Sequence, residues 1–133
     1  MMSSVHGMVT RASTHSFAET MNLLERALTA RQVKVFARID HSGEAAQVGL
    51  AMLPTQLLIV GSPLAGTPIM VSAPTAALDL PIRLLVAADA AGQTSVSYDA
   101  VEYLEARHGF GRNLGRNLAA VDRIVAEALG VPI

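Results

Sequence analysis

The stretch Gly61-Ser62-Pro63-Leu64-Ala65-Gly66-Thr67 has residue types and a spacing that suit chemistry on an anion. Its two glycines stand as in the phosphate loop G-x-x-x-x-G-K-[ST], in which backbone N–H groups cradle phosphates, a lysine neutralises them and a hydroxyl holds magnesium. Here Thr67 takes the lysine position and Pro68 the hydroxyl position, so neither the outer phosphates nor a magnesium ion has its partner and nucleotide hydrolysis is excluded. What survives is simpler. Glycine lets a backbone come close to a ligand, the first N–H groups of a helix favour an anion, and Ser62 and Thr67 add hydroxyls. Gly61, Ser62, Gly66 and Thr67 are therefore the candidate ligand contacts, for a small molecule, with an anion among the candidates.

Acid–base chemistry has two candidates. His41 follows Asp40 at the end of a strand-like run, where a carboxylate would orient or charge the ring. Asp79, between Leu78 and Leu80, is either a turn-forming carboxylate or, if buried, a general base. The other histidines, His6, His15 and His108, complete no paired spacing that brings two imidazoles to one metal, so neither a metal nor a cofactor is expected. Gly109-x-Gly111-x-x-x-Gly115 is one residue too long for a dinucleotide fingerprint and follows no hydrophobic strand. Arg112 and Arg116, four apart, share a helix face that suits either solvent or a carboxylate. With no cysteine there is no thiol nucleophile, and Ser62 and Ser72 lack the G-x-S-x-G elbow.

The elements that must position these groups follow from apolar pattern and punctuation. Leu57 to Val60, closed by Gly61, is a short apolar run bounded by turn residues and predicts a central strand. Ser62-Pro63 and Thr67-Pro68 each set a capping hydroxyl before a proline, predicting two helical starts. Asp79-Leu80-Pro81 then halts the chain before a second apolar strand, Ile82 to Ala88. Together, Leu57 to Gly61, Ser62-Pro63, Leu78-Asp79-Leu80-Pro81 and Ile82 to Val86 resemble the bacterial and archaeal family known as domain of unknown function 302, over about Val5 to Tyr98. Ser62 stands where that family has Asn before its Pro. The resemblance implies a two-layer α+β fold, often dimeric, and no established activity.

The rest of the chain fits an α+β layer. Val5 to Arg11 predicts a first strand, and Ser16 with Glu19 forms a capping box opening a helix whose Phe17, Met21, Leu24 and Leu28 line one face. Val33, Val35, Ala37 and Ile39 alternate with polar or mixed residues, which predicts a strand with one core face. His41-Ser42-Gly43 ends it, and Glu44 to Met52 fits a short helix or a strand equally. Asp89 to Gln93 joins Arg83–Ala88 and Thr94–Tyr98 as a hairpin. Asp99 predicts a cap for a short helix ending at Gly109, and Leu114, Leu118, Val121, Val125 and Ala128 predict an amphipathic helix over Gly111 to Leu129, closed by Gly130 and Pro132. The fold expected is one domain over 1–133: about five mostly antiparallel strands, helices on one face, and a C-terminal helical extension from about 99.

Composition narrows the function. The 133 residues are 51% apolar and 16% charged, which predicts a surface apolar enough to drive a homodimer. A net charge of −1 without a basic run argues against nucleic acid. No run is long enough to cross a bilayer and the N-terminus lacks a signal-peptide pattern, so a cytoplasmic protein that does not enter the membrane is expected. Three functions remain: a non-catalytic dimeric module binding a small ligand beside Gly61 to Thr67, a hydrolase or lyase using His41 and Asp79, and a purely structural assembly protein.

Overall fold

The computed structural model describes residues 5–131. Five strands form one antiparallel sheet in the order β1-β5-β4-β3-β2: β1 Met8–Ser13, β2 Lys34–Asp40, β3 Thr55–Gly61, β4 Ile82–Ala88 and β5 Thr94–Asp99. One face is the core. Leu58 and Val60 of β3, Leu84 and Val86 of β4, and Val96 of β5 are fully buried there. The helix layer on this face consists of α1 Phe17–Ala30 and α5 Arg112–Leu129, packed on each other, with α3 Pro63–Ser72 and α4 Val101–His108 against α5. Leu24 and Leu28 of α1 and Leu129 of α5 lose all contact with water, each burial contributing roughly 2 kcal/mol. The expected α+β architecture, antiparallel with helices on one face and a long C-terminal helix, is the one observed.

Local chemistry explains most boundaries. The Ser16 hydroxyl accepts from the Glu19 N–H at 3.1 Å and starts α1 as the capping box predicts. Asp89 turns the β4–β5 hairpin by accepting from the N–H groups of Ala91 and Gln93, at 3.0 and 2.9 Å. Gly109 and Gly130 close α4 and α5 in the left-handed conformation, φ +75° and +69°, which a side chain would strain. Pro132 lies outside the described residues.

Four local expectations are corrected. His41-Ser42-Gly43 is not a break but the first turn of a helix, α2 His41–Gln47, which Asp40 caps through a 2.9 Å bond from the Gly43 N–H; of the ambiguous Glu44 to Met52 only Glu44 to Gln47 is helical and the rest is in neither element. Asp99 is the last residue of β5 and not a cap; Ala100 precedes α4 and makes no capping bond. Pro68 does not open a helix, because α3 runs through it and Thr67 is a helix-interior residue. A bulge at Phe36 breaks the alternation of β2: Val35 opposes buried Val60, whereas Ala37 and Ile39 oppose Ile59 and Leu57 on the uncovered face. Arg38 consequently turns to the helix side, where it pairs with Glu25 of α1.

Candidate functional site

A cleft of about 520 Å³ opens where β3 ends and α3 begins. Gly61, Ser62, Gly66 and Thr67 all line it, so the candidate ligand contacts come together. Its walls are Val33 and Phe36 from the approach to β2 and the bulge, Val60 and Ile82 from the sheet, Met70 from α3, Leu80 and Pro81 from the turn, and Leu118 and Val121 from α5. Arg31 and Gln32 stand in the link after α1, Gln32 at φ +60°, a conformation a non-glycine side chain rarely adopts. Asn117 of α5 also lines the cleft and donates to the Ala65 carbonyl at 3.1 Å, fastening α3 to α5.

The N-terminus of α3 offers fewer donors than its sequence promises. Pro63 has no N–H, and those of Ala65 and Gly66 both turn back to the Ser62 carbonyl, at 3.0 and 2.9 Å. The hydroxyls of Ser62 and Thr67 make no side-chain hydrogen bond among the described residues, and Ser62 does not cap the helix. The cleft therefore offers a broad apolar wall, two hydroxyls and the Arg31 guanidinium, which pairs with Glu127 across the α1–α5 contact.

His41 and Asp79 are not brought together. Asp40, next to His41, pairs with Gln56 near the start of β3, whereas Asp79 precedes β4 at the Val60–Ile82 end. Those positions lie roughly 15 Å apart along β3 at about 3.3 Å per residue. His41 is exposed and among the described residues makes no side-chain bond, since the Asp40 carboxylate accepts from the Gly43 N–H and the Ser42 hydroxyl instead. The acid–base pair expected from sequence is thus separated by the length of the sheet.

Asp79 has other partners. Its side chain is 3% exposed and accepts from Arg83 on Oδ1 at 3.0 Å, and on Oδ2 from Arg107 at 3.1 Å and His108 Nε2 at 2.6 Å. His108 Nδ1 lies 2.9 Å from the Thr75 hydroxyl in the 3-10 turn Pro74–Leu78. Sequence reasoning missed Thr75, Arg83, Arg107 and His108. They come from three elements with no shared spacing, and the one available signal was the turn carboxylate Asp79 between two leucines.

On the other side of Ile82, Leu118 and Val121 lies a smaller cleft of about 200 Å³. Arg112 and Arg116 line it with Glu102 and Glu105, and form no ion pair among the described residues. Its wall includes Tyr98, whose hydroxyl donates to Asp122 and accepts from Arg11 Nε at 2.9 Å. Burial and then the bond to Asp122 push the Tyr98 phenol well above its ordinary range. Burial alone would raise Asp122, but the bonds from Tyr98 and Arg11 outweigh it and hold the carboxyl below the usual range.

The family model described as "Domain of unknown function DUF302" matches residues 9–128. The chain belongs to this family. The DUF302 match takes in α4 and nearly all of α5, beyond the stretch to Tyr98 that carries the sequence resemblance. A crystal structure of an uncharacterized conserved DUF302 protein from Bacillus stearothermophilus superposes with a TM-score of 0.78 at 19% identity, covering 95% of this chain and 98% of that one. This likeness shows the fold. A Brucella suis protein named fluoride-specific ion channel FluC 1 is 38% identical over 105 residues, 79% of this chain and 41% of that protein. A Brucella melitensis protein named FluC 2 is also 38% identical over 105 residues, covering 39% of its length. The chain therefore spans about two-fifths of these relatives. Among the described residues no helix is long and apolar enough to cross a membrane.

Proposed function

We propose that this DUF302 chain is a homodimeric module whose cleft beside Gly61 to Thr67 binds a small, largely apolar molecule carrying a compact anionic group. The observation that carries this reading is the cleft itself: about 520 Å³ of mostly apolar wall with the unengaged hydroxyls of Ser62 and Thr67 and the Arg31 guanidinium. Binding is favoured over catalysis here because neither of the acid–base candidates, His41 and Asp79, lines the cleft. The dimer is supported by apolar residues left in water around the α2–β3 link, including Val48 at 73% and Leu50 at 66% exposure.

The name of the Brucella relatives supports the anionic part. A segment shared with proteins named as fluoride-specific channels is a natural place for an anion-responsive site. The test is a titration of fluoride, phosphate, sulfate and aliphatic carboxylates of increasing chain length against wild type, Ser62→Ala and Thr67→Val, with folding followed by circular dichroism. Carboxylates should bind more tightly as the chain lengthens until the cleft is filled, and both substitutions should weaken them. If no compound binds wild type at millimolar concentration, the cleft is not a ligand site.

A further inference from the structure

Outside the cleft, a chain of hydrogen bonds runs from a buried carboxylate through a buried imidazole to an exposed hydroxyl. We propose that Thr75 is a nucleophile, His108 its general base and Asp79 the positioning residue of that base, and that the site accepts the acyl group of activated esters with an apolar acyl chain.

Distances and burial carry the assignment. The Asp79 carboxylate is an acceptor on both oxygens, bonded by Arg83 on Oδ1 and Arg107 on Oδ2, so in the neutral ring of His108 it is Nε2, 2.6 Å from Oδ2, that carries the hydrogen. Nδ1 then presents its lone pair to the Thr75 Oγ1 at 2.9 Å. This meets the geometric requirements of an activated hydroxyl: nucleophile bonded to base, base bonded to an orienting carboxylate. The side chains of His108 and Asp79 are each 3% exposed, which shelters the base from water, whereas Thr75 is exposed and reachable. In a 3-10 turn of three residues per turn, Leu78 stands over Thr75, and at 72% exposure it offers an acyl chain an apolar neighbour.

The chemistry balances without a co-reactant other than water. Thr75 Oγ1 bonds to the ester carbonyl carbon as its proton passes to His108 Nδ1, and the carbon–alkoxide bond breaks as that proton reaches the leaving oxygen. Water then attacks the acyl carbon, gives one proton to Nδ1, and releases the acid as Thr75 recovers its hydrogen. The sum is ester plus water to acid plus alcohol.

The experiment treats the full chain with p-nitrophenyl butyrate, follows nitrophenolate release, and maps the acylated residue by mass spectrometry. The butyryl mass should fall on Thr75. Thr75→Val should slow release by about 100-fold, the scale of a lost positioned acid–base pair, while Thr75→Ser should retain it. Both changes are on the surface, so folding persists. His108→Ala should lose the rate and recover part of it with imidazole in solution, and Asp79→Glu should retain more than Asp79→Asn, responses that a merely structural clamp does not give. Acyl mass on other residues only, or release unaffected by Thr75→Val, overturns the proposal and leaves the network as a clamp between the 3-10 turn and α4.

Discussion

At Asp79 one buried carboxylate takes hydrogen bonds from two arginines and a histidine, joining the turn before β4 to the end of α4. Removing it strands the His108 ring, while Arg83 and Arg107, 47% and 43% exposed, can turn to water. Asp79→Ala should therefore cost roughly 1–3 kcal/mol, the penalty of leaving one buried donor unsatisfied, measured by chemical denaturation. The Arg11–Tyr98–Asp122 cluster sets a pH window. A carboxyl held below its unfolded pKa stabilises above about pH 4 and loses that contribution as pH falls through the folded value; a phenol held above its own is fully stabilising below about pH 10 and loses it as pH rises. Stability should thus fall at both edges, Asp122→Asn flattening the acid limb and Tyr98→Phe the alkaline one in thermal melts across pH. At this scale the sequence was partly legible. Gly61 to Thr67 could be read because its members are contiguous, whereas Asp79 meets His108 in place of His41 because the 3-10 turn packs against α4, a long-range contact invisible in a local pattern.

Elements were more legible than their partners. α1, α5 and the β4–β5 hairpin carry their own caps, apolar stripes and turn residues, so local chemistry and final fold agree. β2 misled because its alternation of Val33, Val35, Ala37 and Ile39 is real but interrupted by the Phe36 bulge, which only pairing with β3 reveals. α3 misled because a hydroxyl before proline reads as a cap even inside a helix. Since Thr67 caps nothing, Thr67→Val should leave unfolding free energy within about 0.5 kcal/mol of wild type. Gly66 sits in the same helix without a positive φ, and a methyl there would meet only Met70 Cε, at 3.8 Å. Gly66→Ala should stabilise by about 0.5–1 kcal/mol in denaturant titrations while narrowing the cleft.

For the whole molecule, composition anticipated an apolar exterior but not its place. One group of exposed apolar side chains lies at the end of α2 and the link to β3, where Val48, Leu50, Met52 and Leu53 follow one another without a charge among them. If this end forms the proposed dimer, Leu50→Asp with Leu53→Asp should give a monomer by light scattering at micromolar concentration while circular dichroism stays unchanged. Persistence of the dimer would move the interface elsewhere.

The bulge at Phe36 also governs what cannot happen to this sheet. β2 is an outer strand and would otherwise present a continuous ladder of unpaired amides to any other copy. Two residues against one at Val35–Ala37, with Lys34, Arg38 and Asp40 along the same strand, put its hydrogen-bonding groups out of step with a straight intruder. The irregularity that sends Ile39 into water thus disfavours the addition of a further strand at this edge, an apolar side chain left wet where the sheet ends.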